Sequence, residues 1–168
     1  MVWRIFGWEA RPRVAGTLPG LAIFPGYSGV PMVPRAWARV GFVALQISPR
    51  GHHMSDQVYA PGFPGLMTAG LENPREYAYR GVYCDVWRAL ESLADLPGVD
   101  PERIVNMGGS QGGGVAIVGA TGRYRSGRSR PMFPISRRCA TCWSWAVRTR
   151  MRKCETTCAF NRGQGSAF

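Results

Sequence analysis

A chain of 168 residues, 45% hydrophobic and 18% charged, is long enough for one domain with a real core. It has no run of about 18 apolar residues, which excludes a membrane-spanning helix, and its start, MVWRIFGWEARPR, lacks the charged lead and apolar core of a secretory signal. The net charge of +11 points to nucleic acid or an acidic surface only until it is divided: residues 1–120 hold 10 Arg against 9 Asp and Glu, a net of +1, whereas residues 121–168 hold 10 Arg and 1 Lys against Glu155 alone, a net of +10.

The chain therefore divides into a near-neutral domain, residues 1–120, and a basic Arg- and Cys-rich tail, residues 121–168, expected to be irregular. In the domain, short apolar runs alternate with helical patterns, which predicts an α/β fold with a mostly parallel sheet flanked by helices. Val2–Trp8 reads as an additional strand. Leu21–Phe24 (LAIF) is a short buried strand ending at Pro25-Gly26. Pro34–Arg39 predicts a short helix, stopped by Gly41, and Phe42–Ile47 (FVALQI) a second buried strand. The polar, glycine-rich passage from Ser48 to Glu72 is a loop, and loops of that length tend to be functional.

Arg75–Leu96 is the clearest helix. Tyr79, Val82, Tyr83, Val86, Leu90 and Leu93 recur at three- and four-residue spacing, and Pro97-Gly98 stops the pattern. Asp100-Pro101-Glu102 is a turn, Arg103–Met107 (RIVNM) a third strand, and Gln111–Ala120 a helix of small residues.

Between that last strand and helix lies Gly108-Gly109-Ser110-Gln111-Gly112, a Gly-x-Ser-x-Gly. A strand, a tight turn carrying this motif and a helix form a nucleophile elbow. The turn strains the serine backbone, Gly108 and Gly112 make room where strand and helix crowd, and the helix N-terminus favours developing negative charge at Ser110. An oxyanion hole needs two backbone N–H donors. Gln111, next after the serine, supplies one. Tyr27, in the Pro25–Gly29 turn that follows the LAIF strand, is the candidate for the other.

FPGYSG at 24–29, SPRGHHMSD at 48–56, YAYRGVYCDVWRALE at 77–91, VDPERI at 99–104 and GGSQGGG at 108–114 together resemble the acetyl xylan esterase / cephalosporin-C deacetylase family of α/β-hydrolases. The resemblance runs from about Arg4 to Ala120. It implies a serine esterase that deacetylates xylo-oligosaccharides or cephalosporin-like small acetyl esters, without a cofactor, in full-length members that are homo-oligomeric. It assigns Ser110 as nucleophile, Tyr27 and Gln111 as oxyanion donors, and Arg50-Gly51-His52 as the counterpart of the family's Arg-Gly-Gln motif, a structural element near the site. Two residues depart from the family: His52 stands for Gln, and Pro25 for a frequent His. The family's triad acid and histidine follow the serine, yet no His or Asp occurs after Ser110. The expectation is thus a partial hydrolase fold with later strands missing and an inactive fragment of a serine esterase.

The tail has a reading of its own. Cys139-x2-Cys142-x11-Cys154-x3-Cys158 pairs cysteines as four-thiolate zinc sites do, and the arginines around it suit phosphate contacts. The competing class is therefore a hydrolase-like half carrying a basic zinc or nucleic-acid module. The favoured account is a G+C-rich gene read out of frame after about Ala120. Starting each codon one base earlier turns every Cys and Trp codon into NTG, encoding Leu, Met or Val. With permitted codons, Met151–Asn161 and the start of Arg162 then give AEMRDYLRLQP, ordinary helical sequence. On that account the four cysteines hold no metal and nucleic acid is not the partner.

Other candidates have plainer roles. His52 and His53 follow a strand end on the side where open α/β sheets do chemistry, but a pair formed with Asp56 inside one loop is a polar surface turn. Asp85 and Glu91 are structural or solvated, and Trp87, Tyr77, Tyr79 and Tyr83 are packing rather than a sugar platform. Cys84 is a buried free thiol, which fits a reducing, cytoplasmic compartment.

Overall fold

The computed structural model describes residues 3–121 apart from Val58 and Pro64, together with 130–131 and 158–162. Six strands form one sheet: β1 (Trp3–Ala10), β2 (Leu18–Phe24), β3 (Val43–Ser48), β4 (Val99–Gly108), β5 (Arg130–Pro131) and β6 (Cys158–Arg162), in the order β5-β4-β2-β3-β1-β6. Three helices join them: α1 (Arg35–Arg39), α2 (Ala78–Ala94) and α3 (Gln111–Thr121). β4, β2 and β3 are parallel, and β1 runs antiparallel to β3. This is the mostly parallel α/β architecture that the sequence predicts.

The centre of the sheet is made of strands that are apolar on both faces, as a covered parallel sheet requires. Leu21, Ala22 and Phe24 of β2 and Val43, Ala44, Leu45 and Ile47 of β3 are all buried. α2 lays Val82, Val86, Leu90 and Leu93 on the sheet, each essentially inaccessible to water, and α3 adds Val115, Ala116 and Val118. The indole N–H of Trp87 donates to the Val118 carbonyl at 3.0 Å, tying α2 to α3.

Two predicted boundaries shift for local reasons. α2 begins at Ala78 rather than Arg75, because Asn73 holds the preceding turn: its side chain accepts from Arg75 N–H and its carbonyl from Glu76 and Tyr77 N–H. The Asp100–Glu102 turn exists, but inside a strand. β4 pairs with β2 through Pro19 and Asp100, then resumes at Gly20 and Ile104, so the intervening residues bulge outward. Asp100 braces the bulge, accepting from Glu102 N–H at 3.0 Å and from Arg103 Nε at 2.5 Å.

The tail contributes two strands within its described residues. β5 pairs with β4 only at Val105 and Asn106, and β6 pairs with β1 from Trp3 to Gly7. β4 and β1 are the outer strands of the central four, and an open ladder edge takes up extended chain. The β4 edge, next to Ser110, thus carries a two-residue partner among the described residues.

One core position carries a polar defect. Asn106 of β4 is completely buried against α3, beside Gly119, and neither atom of its amide has a hydrogen-bond partner among the described residues. An unsatisfied buried amide costs about 1–3 kcal/mol. Asn106→Val, which suits a strand and removes both polar atoms, is expected to raise stability by about 1–2 kcal/mol, measured as a higher urea midpoint at unchanged m-value.

Because β2, β3 and β4 are parallel, the segments after Phe24, Ser48 and Gly108 all leave the same end of the sheet. Those three segments carry Tyr27, Arg50-Gly51-His52 and Ser110.

Candidate functional site

Ser110 sits where β4 turns into α3, with φ of 53°. A residue with a Cβ rarely takes this left-handed conformation, and holding it there costs of order 1–3 kcal/mol. The surroundings impose it: the Ser110 carbonyl accepts from Gly113 N–H at 3.0 Å and Gly114 N–H at 3.3 Å, which locks the first turn of α3 onto the serine. The residue is exposed, and its hydroxyl has no partner among the described residues.

The two outer glycines of the motif are required by contact distance. A Cβ on Gly108 would lie 2.3 Å from the Gly112 carbonyl carbon and oxygen, and one on Gly112 would lie 2.2 Å from the Phe24 carbonyl oxygen. No real Cβ approaches backbone that closely. Gly109 has open space at the same point, so only Gly108 and Gly112 are demanded by the crossing of α3 over β2 and β4.

The segment after β2 runs beside the serine. A Cβ on Gly26 would stand 3.8 Å from the Ser110 Cβ. Gly29 N–H donates to the Gly26 carbonyl at 3.0 Å, closing the turn that presents Tyr27, whose side chain is about half exposed. The backbone N–H groups of Tyr27 and Gln111 have no acceptor among the described residues. Two free donors thus come from the residues next to Gly26 and Ser110, at the N-terminus of an 11-residue helix whose dipole favours negative charge.

The segment after β3 is held by a buried ion pair. The Arg50 guanidinium meets Asp85 of α2 in two bonds, Nε to Oδ2 at 2.9 Å and Nη2 to Oδ1 at 2.7 Å, and the Arg50 N–H adds a third to Oδ2 at 2.9 Å. Asp85 is fully buried and the Arg50 side chain is 11% exposed. Gly81, one turn before Asp85, makes room: a Cβ there would come within 2.7 Å of the guanidinium. Gly51 turns with φ of 76°, packed on Leu66.

His52 is buried, and burial holds its pKa below the ordinary imidazole range. Hydrogen bonds to the backbone of Arg50 and Pro49, and the charge of Asp85, oppose that shift without cancelling it. Its Nδ1 lies 3.3 Å from the Arg50 carbonyl oxygen and its Nε2 3.3 Å from Gln111 Nε2. The same Gln111 amide donates to the Tyr79 hydroxyl. His53 and Asp56 are exposed. His52 is therefore committed to Gln111 and a carbonyl, and neither histidine is hydrogen-bonded to Ser110, so the loop assembles no triad.

The remaining candidates fall into structural positions. Tyr79 and Tyr83 are buried and meet edge to face, with Tyr77 stacked on Tyr79 at 5.5 Å. Glu91 pairs with Arg88 on the surface of α2, and Cys84 is a buried free thiol. Cys139, Cys142 and Cys154 lie outside the described residues, and Cys158 opens β6. Among the described residues no three His, Cys, Asp or Glu side chains cluster to hold a metal ion.

Comparison with known proteins follows the same residues. A family model, acetyl xylan esterase (AXE1), matches residues 2–138, past the Ala120 limit read from motifs. The chain is 31% identical over 129 residues to the acetyl esterase Axe7A of Xylanibacter ruminicola, covering 69% of this chain and 29% of that protein. The acetyl xylan esterase from Paenibacillus sp. R4 superposes with a TM-score of 0.61 at 40% identity, over 68% of this chain and 39% of that one. Acetyl xylan esterase 1 from Thermoanaerobacterium sp. JW/SL YS485 gives 0.62 at 25% identity, over 68% and 38%. The chain thus spans between a quarter and two fifths of the length of these relatives.

Proposed function

Because the chain belongs to the acetyl xylan esterase family and has its α/β-hydrolase fold, we propose that it carries the nucleophile and oxyanion hole of a serine carboxylic-ester hydrolase. The substrates are small acetyl esters, acetylated xylo-oligosaccharides or cephalosporin-like compounds. One observation carries this reading: an exposed serine at φ of 53°, set between a parallel strand and a glycine-rich helix, beside the turn of Gly26 and Tyr27.

In this mechanism the Ser110 hydroxyl oxygen attacks the acetyl carbonyl carbon. The carbonyl oxygen gains the negative charge and accepts from the Tyr27 and Gln111 N–H groups at the head of α3. Collapse releases the sugar alcohol and leaves acetyl-Ser110, which water hydrolyses to acetate. Taking the serine proton and returning it to the alcohol requires a general base. A histidine oriented by a carboxylate does this in serine esterases, and no His or Asp follows Ser110 in these 168 residues. The chain alone is therefore proposed to be inactive.

The test supplies the missing groups. A fusion of residues 1–120 to the C-terminal part of the Paenibacillus esterase is expected to release acetate from acetylated xylo-oligosaccharides and to lose that activity on Ser110→Ala. A folded fusion that leaves acetyl esters intact refutes the reading.

A further inference from the structure

We propose that His52 is a positioning residue for Gln111, holding the residue that follows Ser110 through a hydrogen bond that exists only while the imidazole is neutral. Gln111 opens α3, yet its side chain turns back beneath the segment after β3, to the buried His52 ring and the buried Tyr79 hydroxyl. The proposal assigns the protons of this contact, whose donor and acceptor roles follow from the ring's tautomer. The Gln111 NH₂ faces the ring, and a carboxamide NH₂ offers protons and no lone pair, so the proposal makes His52 Nε2, at 3.3 Å, the acceptor. The proton then sits on Nδ1 and is donated to the Arg50 carbonyl at 3.3 Å. Arg50 is itself immobilised by Asp85. A run of fixed groups, Asp85 to Arg50 to His52, thereby ends on Gln111.

Protonation of Nε2 sets one N–H against another. Gln111 must then either detach or turn its amide over to present Oε1, an oxygen that is buried and without a partner in the neutral state. Either response moves the side chain that anchors the first residue of α3. Arg50 from its own segment and Asp85 from α2 act on His52, Tyr79 of α2 meets it only through the Gln111 amide, and α3 carries nothing titratable. Asp85 attracts the imidazolium, but its carboxylate is taken by Arg50 and burial outweighs it, which places the transition on the acid side of the ordinary imidazole range.

The consequence for chemistry rests on the reading of Gln111 N–H as an oxyanion donor, whereas the anchoring itself does not. The experiment is an NMR titration of the full 168-residue chain labelled with ¹⁵N-histidine and ¹⁵N-glutamine. Expected are an Nδ1–H tautomer for His52 at pH 7.5, a midpoint below the usual value of about 6.5, and Gln111 backbone and side-chain amide signals that shift with that same midpoint. In His52→Gln, which keeps an acceptor but cannot titrate, those Gln111 shifts disappear. An Nε2–H tautomer, or Gln111 signals that stay still while His52 titrates, overturns the proposal. If His52→Gln does not fold, the wild-type tautomer and the shared midpoint decide alone.

Stability gives a second readout. With the folded pKa below the unfolded one, the unfolded chain binds more protons below about pH 6.5. The stability from neutral His52 is complete above that pH and is lost as the pH falls toward the folded value. The urea midpoint is therefore expected to drop further between pH 7 and 5 in the wild type than in His52→Gln, and equal drops count against the proposal. A fusion silent toward acetyl esters beside the expected titration refutes the esterase reading and leaves His52 as the anchor of Gln111. An active fusion beside an unresponsive Gln111 refutes the anchoring alone.

Discussion

Pure 168-residue chain is expected to hydrolyse p-nitrophenyl acetate at a turnover on the order of 10⁶ below that of the fusion carrying a supplied histidine and acid. The size of the gap follows from what a serine needs. An unassisted hydroxyl at neutral pH is a weak nucleophile, and without a base the proton must leave to water. Nothing described in the chain substitutes: His52 is occupied by Gln111 and the Arg50 carbonyl, and His53 and Asp56 are exposed and not bonded to Ser110. The proposed oxyanion donors alone are expected to leave a small residual rate. The measurement is kcat for the two proteins side by side, each with its Ser110→Ala counterpart as the blank. Turnover by the chain within about 100-fold of the fusion, lost on Ser110→Ala, defeats the expectation by showing a working base among these residues.

Asp85→Ala is expected to cost about 3–5 kcal/mol of folding stability, a loss that leaves little of a marginal domain. The substitution removes the acceptor of three bonds from Arg50 and leaves a guanidinium that is 11% exposed without its counter-charge. Urea unfolding of both proteins at pH 7 measures the difference. The double variant Arg50→Met/Asp85→Leu removes both charges and is expected to recover most of the loss, since apolar replacement of a whole buried pair is often neutral or better. A single variant within about 1 kcal/mol of the wild type shows that water reaches the pair and that it does not hold the segment after β3.

The sheet was largely legible because its central strands are short, continuous apolar runs and α2 has an unbroken apolar stripe. The elbow was legible for a different reason: Gly108 and Gly112 record backbone contacts that no other residue allows. The Asp85 pairing left a signal that composition alone hides. Asp85 lies three residues after Val82 and beside Val86, on the buried stripe of α2, where a carboxylate requires a cation. The partner of Gln111 left no such trace. A side-chain amide bonds to whatever the fold brings near, and His52 and Gln111 are 59 residues apart. The bulge in β4 was hidden likewise, since Asp100-Pro101-Glu102 has turn chemistry whether it ends a strand or interrupts one.

The glycines of α3 also bear on the order in which the chain folds. Gly112, Gly113 and Gly114 fill its first turn, and each costs roughly 1 kcal/mol of helix propensity against alanine. A helix of 11 residues is marginal in water even with the best formers. α3 is therefore not a seed. It forms only as it settles onto the β2 and β4 backbone, after those strands have paired, so the serine elbow is among the last elements to take shape and among the first to open. Amide hydrogen exchange is the observable form of this: Gly113 and Gly114, bonded to the Ser110 carbonyl, exchange ahead of the amides of β2 and β3 while the rest of the sheet stays closed.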